Sequence, residues 1–355
     1  MKAILAAFER TGIRGVLTPS LSDQDFLRMI PAKSSRSRLP KARVGERWQN
    51  QVLPVLQYIR KSSTISDLML GPSSPFNCSD SLLREVVETA EQHDLGIHMH
   101  LLETRLQRWG ARKLYYKDGL GQRLDKLGVL SGRLSAAHCV WLNEKEMDLM
   151  ASSGASAVHN PASNLKLGSG VAPVVELKRR GVNVSLGTDG GDTSDSYSIF
   201  DQMRLATFLS RIKTEDSDHW VTAFDALRMG TINGAEAIPA WRGKIGKIQK
   251  GFRADLVILR PNLRLSPLND VIHQLVFCEG SHSVDTVLVD GKVVVRGGRL
   301  TRVREEMLMR KVAPISKKMR KRYSAILRSE ARNGESSLQK LYRNAFKDDE
   351  RNFRS

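Results

Sequence analysis

The chain has 355 residues, 41% of them hydrophobic and 26% charged, an ordinary balance for a globular protein with a sizeable core. No stretch approaches the ~20 apolar residues of a membrane span. The start is not a signal peptide, because charged residues follow a very short apolar stretch. The net charge is +18 and the isoelectric point about 10.0. The excess gathers in residues 33–47 and in the tail, with Lys317, Lys318 and the run Arg320-Lys321-Arg322. Such patches attract nucleic acid or acidic membrane, yet no nucleic-acid-binding motif accompanies them, so the tail reads as a solvated basic helix. Cys78, Cys139 and Cys278 are far apart, odd in number and outside any CxxC. They point to a reducing, cytoplasmic setting and away from a disulfide framework or a thiolate zinc site.

In chain order, short apolar runs ending in polar or glycine-rich turns alternate with helical patterns. Residues 12–19 predict a first strand. A Ser/Arg/Lys-rich loop and a helix over 48–62 follow, then a strand at 68–70 with its exit loop to Phe76. Ser79 or Asp80 caps the next helix. Residues 96–104 predict the third strand, 133–140 the fourth, 154–158 the fifth and 182–190 the sixth, with helices over 144–152 (capped by Asn143) and 174–180 between them. After residue 235 the texture changes. Residues 243–259 read as two short strands about a glycine turn, and residues 285–295 as a hairpin turning at Asp290-Gly291. From Met307 the chain is a charged helical tail.

The run Gly96-Ile97-His98-Met99-His100-Leu101-Leu102-Glu103-Thr104 carries the first chemical signal. Residues i and i+2 of a strand share a face, so His98 and His100 point together, with Glu103 where the strand breaks. Two imidazoles and a carboxylate suit a metal ligand beside a proton carrier; satisfied histidines on an ordinary strand are the plainer alternative. Further on, His138, His159 and Asp189 also stand at strand ends. In a (β/α) barrel that rim is where active sites are built.

Taken together, His100-Leu101-Leu102-Glu103-Thr104, Ala137-His138-Cys139, His159-Asn160-Pro161-Ala162-Ser163-Asn164 with Gly168 and Gly170, and Leu186-Gly187-Thr188-Asp189-Gly190 resemble the amidohydrolase superfamily. The branch is that of N-heterocycle deaminases and triazine chlorohydrolases. Thr231-Ile232-Asn233-Gly234-Ala235, Gly251-Phe252-Arg253-Ala254-Asp255-Leu256 and Val289-Asp290-Gly291 extend the match over residues 68–300. The resemblance implies an α/β fold: a TIM-type barrel over residues 1–240, the C-terminal part of a small β-sandwich domain over 241–300, and a basic helical or partly disordered tail over 301–355. It also implies a metal-dependent hydrolase of non-peptide C–N bonds, deaminating an aromatic N-heterocycle with a zinc-activated water. His100 and Asp189 are the implied metal ligands. Glu103, His138 and Asp189 are the implied catalytic groups. Ser73, His138, His159 and Asn164 are the implied substrate contacts, with His98 in support. The expected partner is a small heterocycle, with neither membrane nor nucleic acid, and a homo-oligomer is left open.

Three departures qualify this. The family's first-strand His-x-His pair is absent, since no histidine precedes His93, which leaves zinc affinity in doubt. Only six strands are legible where a closed barrel needs eight, so the expectation is an incomplete, N-terminally truncated barrel. Ser73, in Gly71-Pro72-Ser73-Ser74-Pro75, stands where nucleoside deaminases of the branch carry histidine, which favours a smaller or differently substituted ring. The alternatives are displacement of chloride from a triazine-like ring, or a catalytically inactive member.

Overall fold

The structure is a computed structural model that describes residues 1–26, 48–115 and 119–331. The basic segment 33–47 and the expected disorder after residue 331 lie outside the described residues. The strands are β1 Gly15–Leu17, β2 Ser20–Leu21, β3 Ser66–Pro72, β4 Gly96–Leu101, β5 Leu134–His138, β6 Ser156–His159 and β7 Asn183–Leu186. They form one parallel sheet in the order β1-β3-β4-β5-β6-β7, with β2 also on β3. Gly15 pairs with Ser66 and Ser20 with Gly71. β1 and β2 therefore keep one register and are a single strand interrupted at Thr18-Pro19, where proline has no N–H to give the ladder. Among the described residues the sheet curls without closing, and β1 and β7 are its two edges.

The strands read as nearly continuous apolar runs because a parallel sheet in this fold is covered on its faces. Leu68, Met69, Leu70, Ile97, Met99 and Leu134 are all buried. The covering helices supply complementary stripes. Trp48–Ser62 buries Val52, Val55, Leu56 and Ile59, the i, i+3, i+4, i+7 pattern of one helix face. Each such side chain contributes about 1.5–3 kcal/mol relative to exposure. Asp80–Gln92 buries Leu82, Leu83, Val86 and Ala90, and the Ser79 hydroxyl accepts from the Leu82 amide at its start. Full capping boxes start Arg105–Leu114 (Thr104 with Gln107) and Glu144–Ser153 (Asn143 with Glu146).

A second, antiparallel sheet holds β8 Leu256–Leu259, β9 Val284–Val289, β10 Lys292–Arg296 and β11 Arg299–Leu300 in the order β11-β10-β9-β8. The predicted hairpin is β9–β10, and Asp290 (φ 53°) and Gly291 (φ 75°) take the left-handed conformations its tight turn demands. The predicted pair of strands over 243–259 is corrected: only Leu256–Leu259 is extended, and the lysine- and glycine-rich part before it is a series of turns. Arg14, beside β1, donates to both oxygens of Asp255 and stacks over Trp241 at 4.3 Å. Asp255 also accepts from the Asp290 amide at 2.8 Å, and Asp290 accepts from Arg253 at 2.7 Å. The motif aspartates of the second sheet thus tie it to the start of the first.

Candidate active site

β4 alternates. Ile97, Met99 and Leu101 enter the apolar core, while His98 and His100 lie on the opposite face. His98 Nδ1 meets Ser135 Oγ at 3.2 Å. Burial, with a smaller contribution from its neighbour His100, pushes the His98 imidazole down to about 4, so it is neutral at physiological pH. His100 is exposed, and its Nδ1 lies 2.6 Å from the Ser73 carbonyl oxygen, which also accepts the His100 amide. A carbonyl partner fixes the proton on Nδ1 and leaves Nε2 as a free lone pair, the state a metal-ligating imidazole needs.

The rim carries backbone strain. Leu102 (φ 45°), His138 (φ 73°), Cys139 (φ 51°) and Asp189 (φ 60°) all adopt left-handed conformations just where β4, β5 and β7 end. Such conformations cost about 1–3 kcal/mol each and persist where surrounding packing over-determines them, typically at functional sites. Here they turn Glu103, His138 and Asp189 out of their strands at the same level, because Leu101 pairs with His138 and His159 with Leu186.

Glu103 is set by the capping box that follows it: its amide donates to the Gln107 side chain at 2.7 Å. One carboxylate oxygen accepts from Ser169 Oγ at 3.3 Å, and the other lies 3.9 Å from His138 Nε2. His138 is buried, and its Nδ1 sits 2.9 Å from Asn164 Oδ1, with the Asn160 amide nitrogen at 3.5 Å. Asn164 as acceptor holds the proton on Nδ1 and leaves Nε2 facing Glu103. Gly187 makes room for this arrangement, since a Cβ there would stand 2.3 Å from Asn160 Oδ1.

Asp189 accepts from its neighbour's amide, Gly190 N, at 2.7 Å and from Ser163 Oγ at 2.6 Å. Partial burial raises its carboxyl, but the Ser163 and Gly190 donors and the positive charge of His138 outweigh it and hold Asp189 below the ordinary carboxylate range. It is an anion at neutral pH and can accept a proton.

His100, Glu103, His138 and Asp189 are thus brought onto one rim. Asn164 is 1% exposed and bonded to His138, so it reaches the rim only through that ring. His159 is also buried. Burial and the charges of His138 and Lys213 push it down to about 3, and it packs among Ala172, Val174, Ala206 and Leu209. Ser73 meets His100 through its carbonyl, while its own hydroxyl is buried without a partner among the described residues. Ser163 and Ser169 are functional contacts that no strand-end pattern in the sequence marks. Their signal was a serine inside Asn160–Asn164 and another between Gly168 and Gly170, whose φ values of 67° and 114° shape the loop that presents Ser169.

The amidohydrolase family model matches residues 1–294. The chain belongs to the amidohydrolase family. As an amidohydrolase it is 34% identical to the 5'-deoxyadenosine deaminase of Methanothermobacter thermautotrophicus over 87% of this chain and 68% of that protein. It is 33% identical to the 5-methylthioadenosine/S-adenosylhomocysteine deaminase of Caldanaerobacter subterraneus over 83% of this chain and 64% of that protein. It thus spans about two thirds of the length of these relatives. Among solved structures it superposes on an adenosine deaminase of Xanthomonas campestris with bound zinc, with a TM-score of 0.79 and 28% identity over 89% of this chain and 68% of that one. The family, the deaminase branch and the incomplete barrel expected from the sequence are borne out.

Zinc in that neighbour makes the donor set of this amidohydrolase a direct question. His100 with its free Nε2 and the ionised Asp189 are of the right chemical type. Among the described residues, however, no group of three or more histidine, cysteine, aspartate or glutamate side chains is placed to hold a metal ion. Catalytic zinc sites use three protein ligands as a rule, so these two donors do not make a complete centre.

Proposed function

We propose that this amidohydrolase chain carries the acid–base half of a hydrolytic deaminase acting on an aromatic nitrogen heterocycle. The observation that carries the reading is the Glu103–His138 pair, 3.9 Å apart, clamped from behind by Ser169 and Asn164, on the same rim as the ionised Asp189. The reaction adds water across the ring carbon that bears the amino group and then breaks that C–N bond. Asp189 accepts the proton of the attacking water. Glu103, in its protonated form, delivers a proton to the adjacent ring nitrogen, which makes the carbon electrophilic. His138, fixed through Nδ1, aims Nε2 at the oxygen as it forms; the protonated ring donates to the developing oxyanion. Asp189 then passes the proton it took from water to the amino group, the C–N bond breaks and ammonia leaves, while the proton of the new hydroxyl returns to Glu103 as the carbonyl forms, which restores both carboxyl groups.

His100 and Asp189 are the donors that this chain offers a divalent cation, and zinc is the cation we propose, by analogy with the Xanthomonas neighbour. The names of the two deaminase relatives support a 6-aminopurine ring, whereas Ser73 in place of a nucleoside-contacting histidine supports a smaller one. The test is ammonia release from 5'-deoxyadenosine, adenosine, guanine, a pterin and an aminotriazine by the purified chain in excess zinc. Release that Glu103→Gln abolishes supports the reading. A Glu103→Gln rate equal to wild type, or no release from any ring, overturns it.

A further inference from the structure

The helix Glu305–Ala331 is 27 residues long, and every described side chain from residue 304 to 324 is exposed. Its sequence is nevertheless strongly patterned. Leu308, Val312, Ile315, Met319 and Tyr323 recur at spacings of three and four, so at 3.6 residues per turn they form one stripe along the helix. These five are between 48% and 65% exposed. Between residues 310 and 322 stand seven cations and no acid. At 100° per residue, Lys311, Lys318 and Arg322 lie along one flank of the stripe and Arg320 along the other, with Arg310, Lys317 and Lys321 opposite it. No described helix is long and apolar enough to cross a membrane.

We propose that this helix is a docking surface for an anionic lipid bilayer, lying in the plane of the headgroups. The apolar stripe enters the acyl boundary, the flanking lysines and arginines reach up to lipid phosphates, and their long stems cover the stripe's margins. Charge and pattern together select this occupant. Nucleic acid would neutralise the cations but leave five large apolar side chains in water. A second copy of the helix would seal the stripe, whose first four residues have the 4-3-4 spacing of a coiled coil before the last step of four leaves it, but it would set Lys311 and Lys318 beside the seam with no acid in the stretch to pair them. Only a surface that is both anionic and apolar beneath satisfies the two faces at once. The proposal is independent of the catalytic reading.

The test is flotation of the full chain with vesicles of phosphatidylcholine and phosphatidylglycerol (roughly 70:30, an ordinary anionic surface) against vesicles of phosphatidylcholine alone. Binding to the anionic vesicles only is expected. Ile315→Gln with Met319→Gln should weaken it by about tenfold or more, while Ile315→Leu with Met319→Leu, which keeps the stripe and the helix, should leave it intact. Circular dichroism checks that the glutamine variant keeps its helix. Binding that survives the glutamine variant undiminished shows attraction by charge alone and overturns the proposal. So does equal binding to both vesicles, or absence of binding to the anionic vesicles from a chain that instead dimerises or retains a DNA duplex of about 12 base pairs, roughly the 40 Å reach of the helix.

Discussion

Asn164 Oδ1 sits 2.9 Å from His138 Nδ1, inside a core where both residues are at most 2% exposed. One short contact from the helix Pro161–Lys166 that follows β6 therefore fixes the tautomer and the aim of a ring at the end of β5. Truncation by Asn164→Ala frees that ring to turn, and small misplacements of a reacting group are costly. We expect kcat to fall about tenfold to a hundredfold with KM little changed. Asn164→Asp, which keeps an acceptor at the same point, should retain the orientation of the ring and most of the rate. Unchanged kinetics in the alanine variant would show that Asn164 only fills space.

Glu103→Gln keeps the shape and the hydrogen bond from Ser169 but removes the transferable proton. The expected loss in kcat is about 10²- to 10⁴-fold, the range for a general acid, with substrate binding retained. Ser169→Ala, which only loosens the carboxyl, should cost far less. Steady-state kinetics of the two variants side by side check both statements.

Ser163 acts on Asp189, the base we propose. Its hydroxyl donates to Asp189 at 2.6 Å and is one of the groups holding that carboxyl below the ordinary range. The base works only when ionised, so activity is present above its pKa and lost below it. Ser163→Ala removes a stabiliser of the anion. The acid limb of kcat/KM should therefore move to higher pH, with the plateau rate at pH 8 nearly restored. A limb that stays in place would assign the acid side of the profile to another group.

Two buried imidazoles make the fold itself pH-sensitive. His159 is held at about 3 and His98 at about 4, against an ordinary value of 6.5 in the unfolded chain. Between those limits the unfolded chain binds protons that the folded one does not, so stability falls as pH falls below about 6.5. The slope approaches about 1.4 kcal/mol per pH unit for each group and ends for each at its folded value. Urea unfolding midpoints between pH 7.5 and 4.5 (roughly the span in which histidine charge changes) measure it, and His159→Gln should flatten the curve.

Zinc should be retained poorly. Among the described residues no group of three or more candidate ligands is placed to hold a metal ion, and the two proposed donors, His100 and Asp189, fall short of the three protein ligands a zinc centre ordinarily needs. The purified chain is expected to hold well under one equivalent after passage over a chelating column, by elemental analysis. His100→Ala should lower even the uptake seen in excess zinc. Full occupancy surviving the chelator would mean that a further donor completes the site.

Much of the architecture is local and was therefore legible. The apolar runs at β3 to β7, the serine and asparagine caps and the Asp290-Gly291 turn each follow from spacing and backbone preference within a dozen residues. His100, Glu103, His138 and Asp189 were legible too, because a strand end followed by a polar group is a local pattern. The predicted pair of strands over 243–259 failed for the complementary reason. Short lysine- and glycine-rich runs have no strong period of their own, and only Leu256–Leu259 finds a partner strand, β9, to extend against.

The sequence by itself thus determined the family, the alternating β/α order and which side chains stand at the strand ends. Which of those side chains touch was decided only by tertiary structure. Asn164 holds His138, Ser163 holds Asp189, Ser169 holds Glu103 and the Ser73 carbonyl holds His100, across separations of 26 to 66 residues. No periodicity encodes those pairings. They exist because parallel pairing brings the strand ends to one level, and because left-handed turns at Leu102, His138 and Asp189 swing the chain towards a common rim.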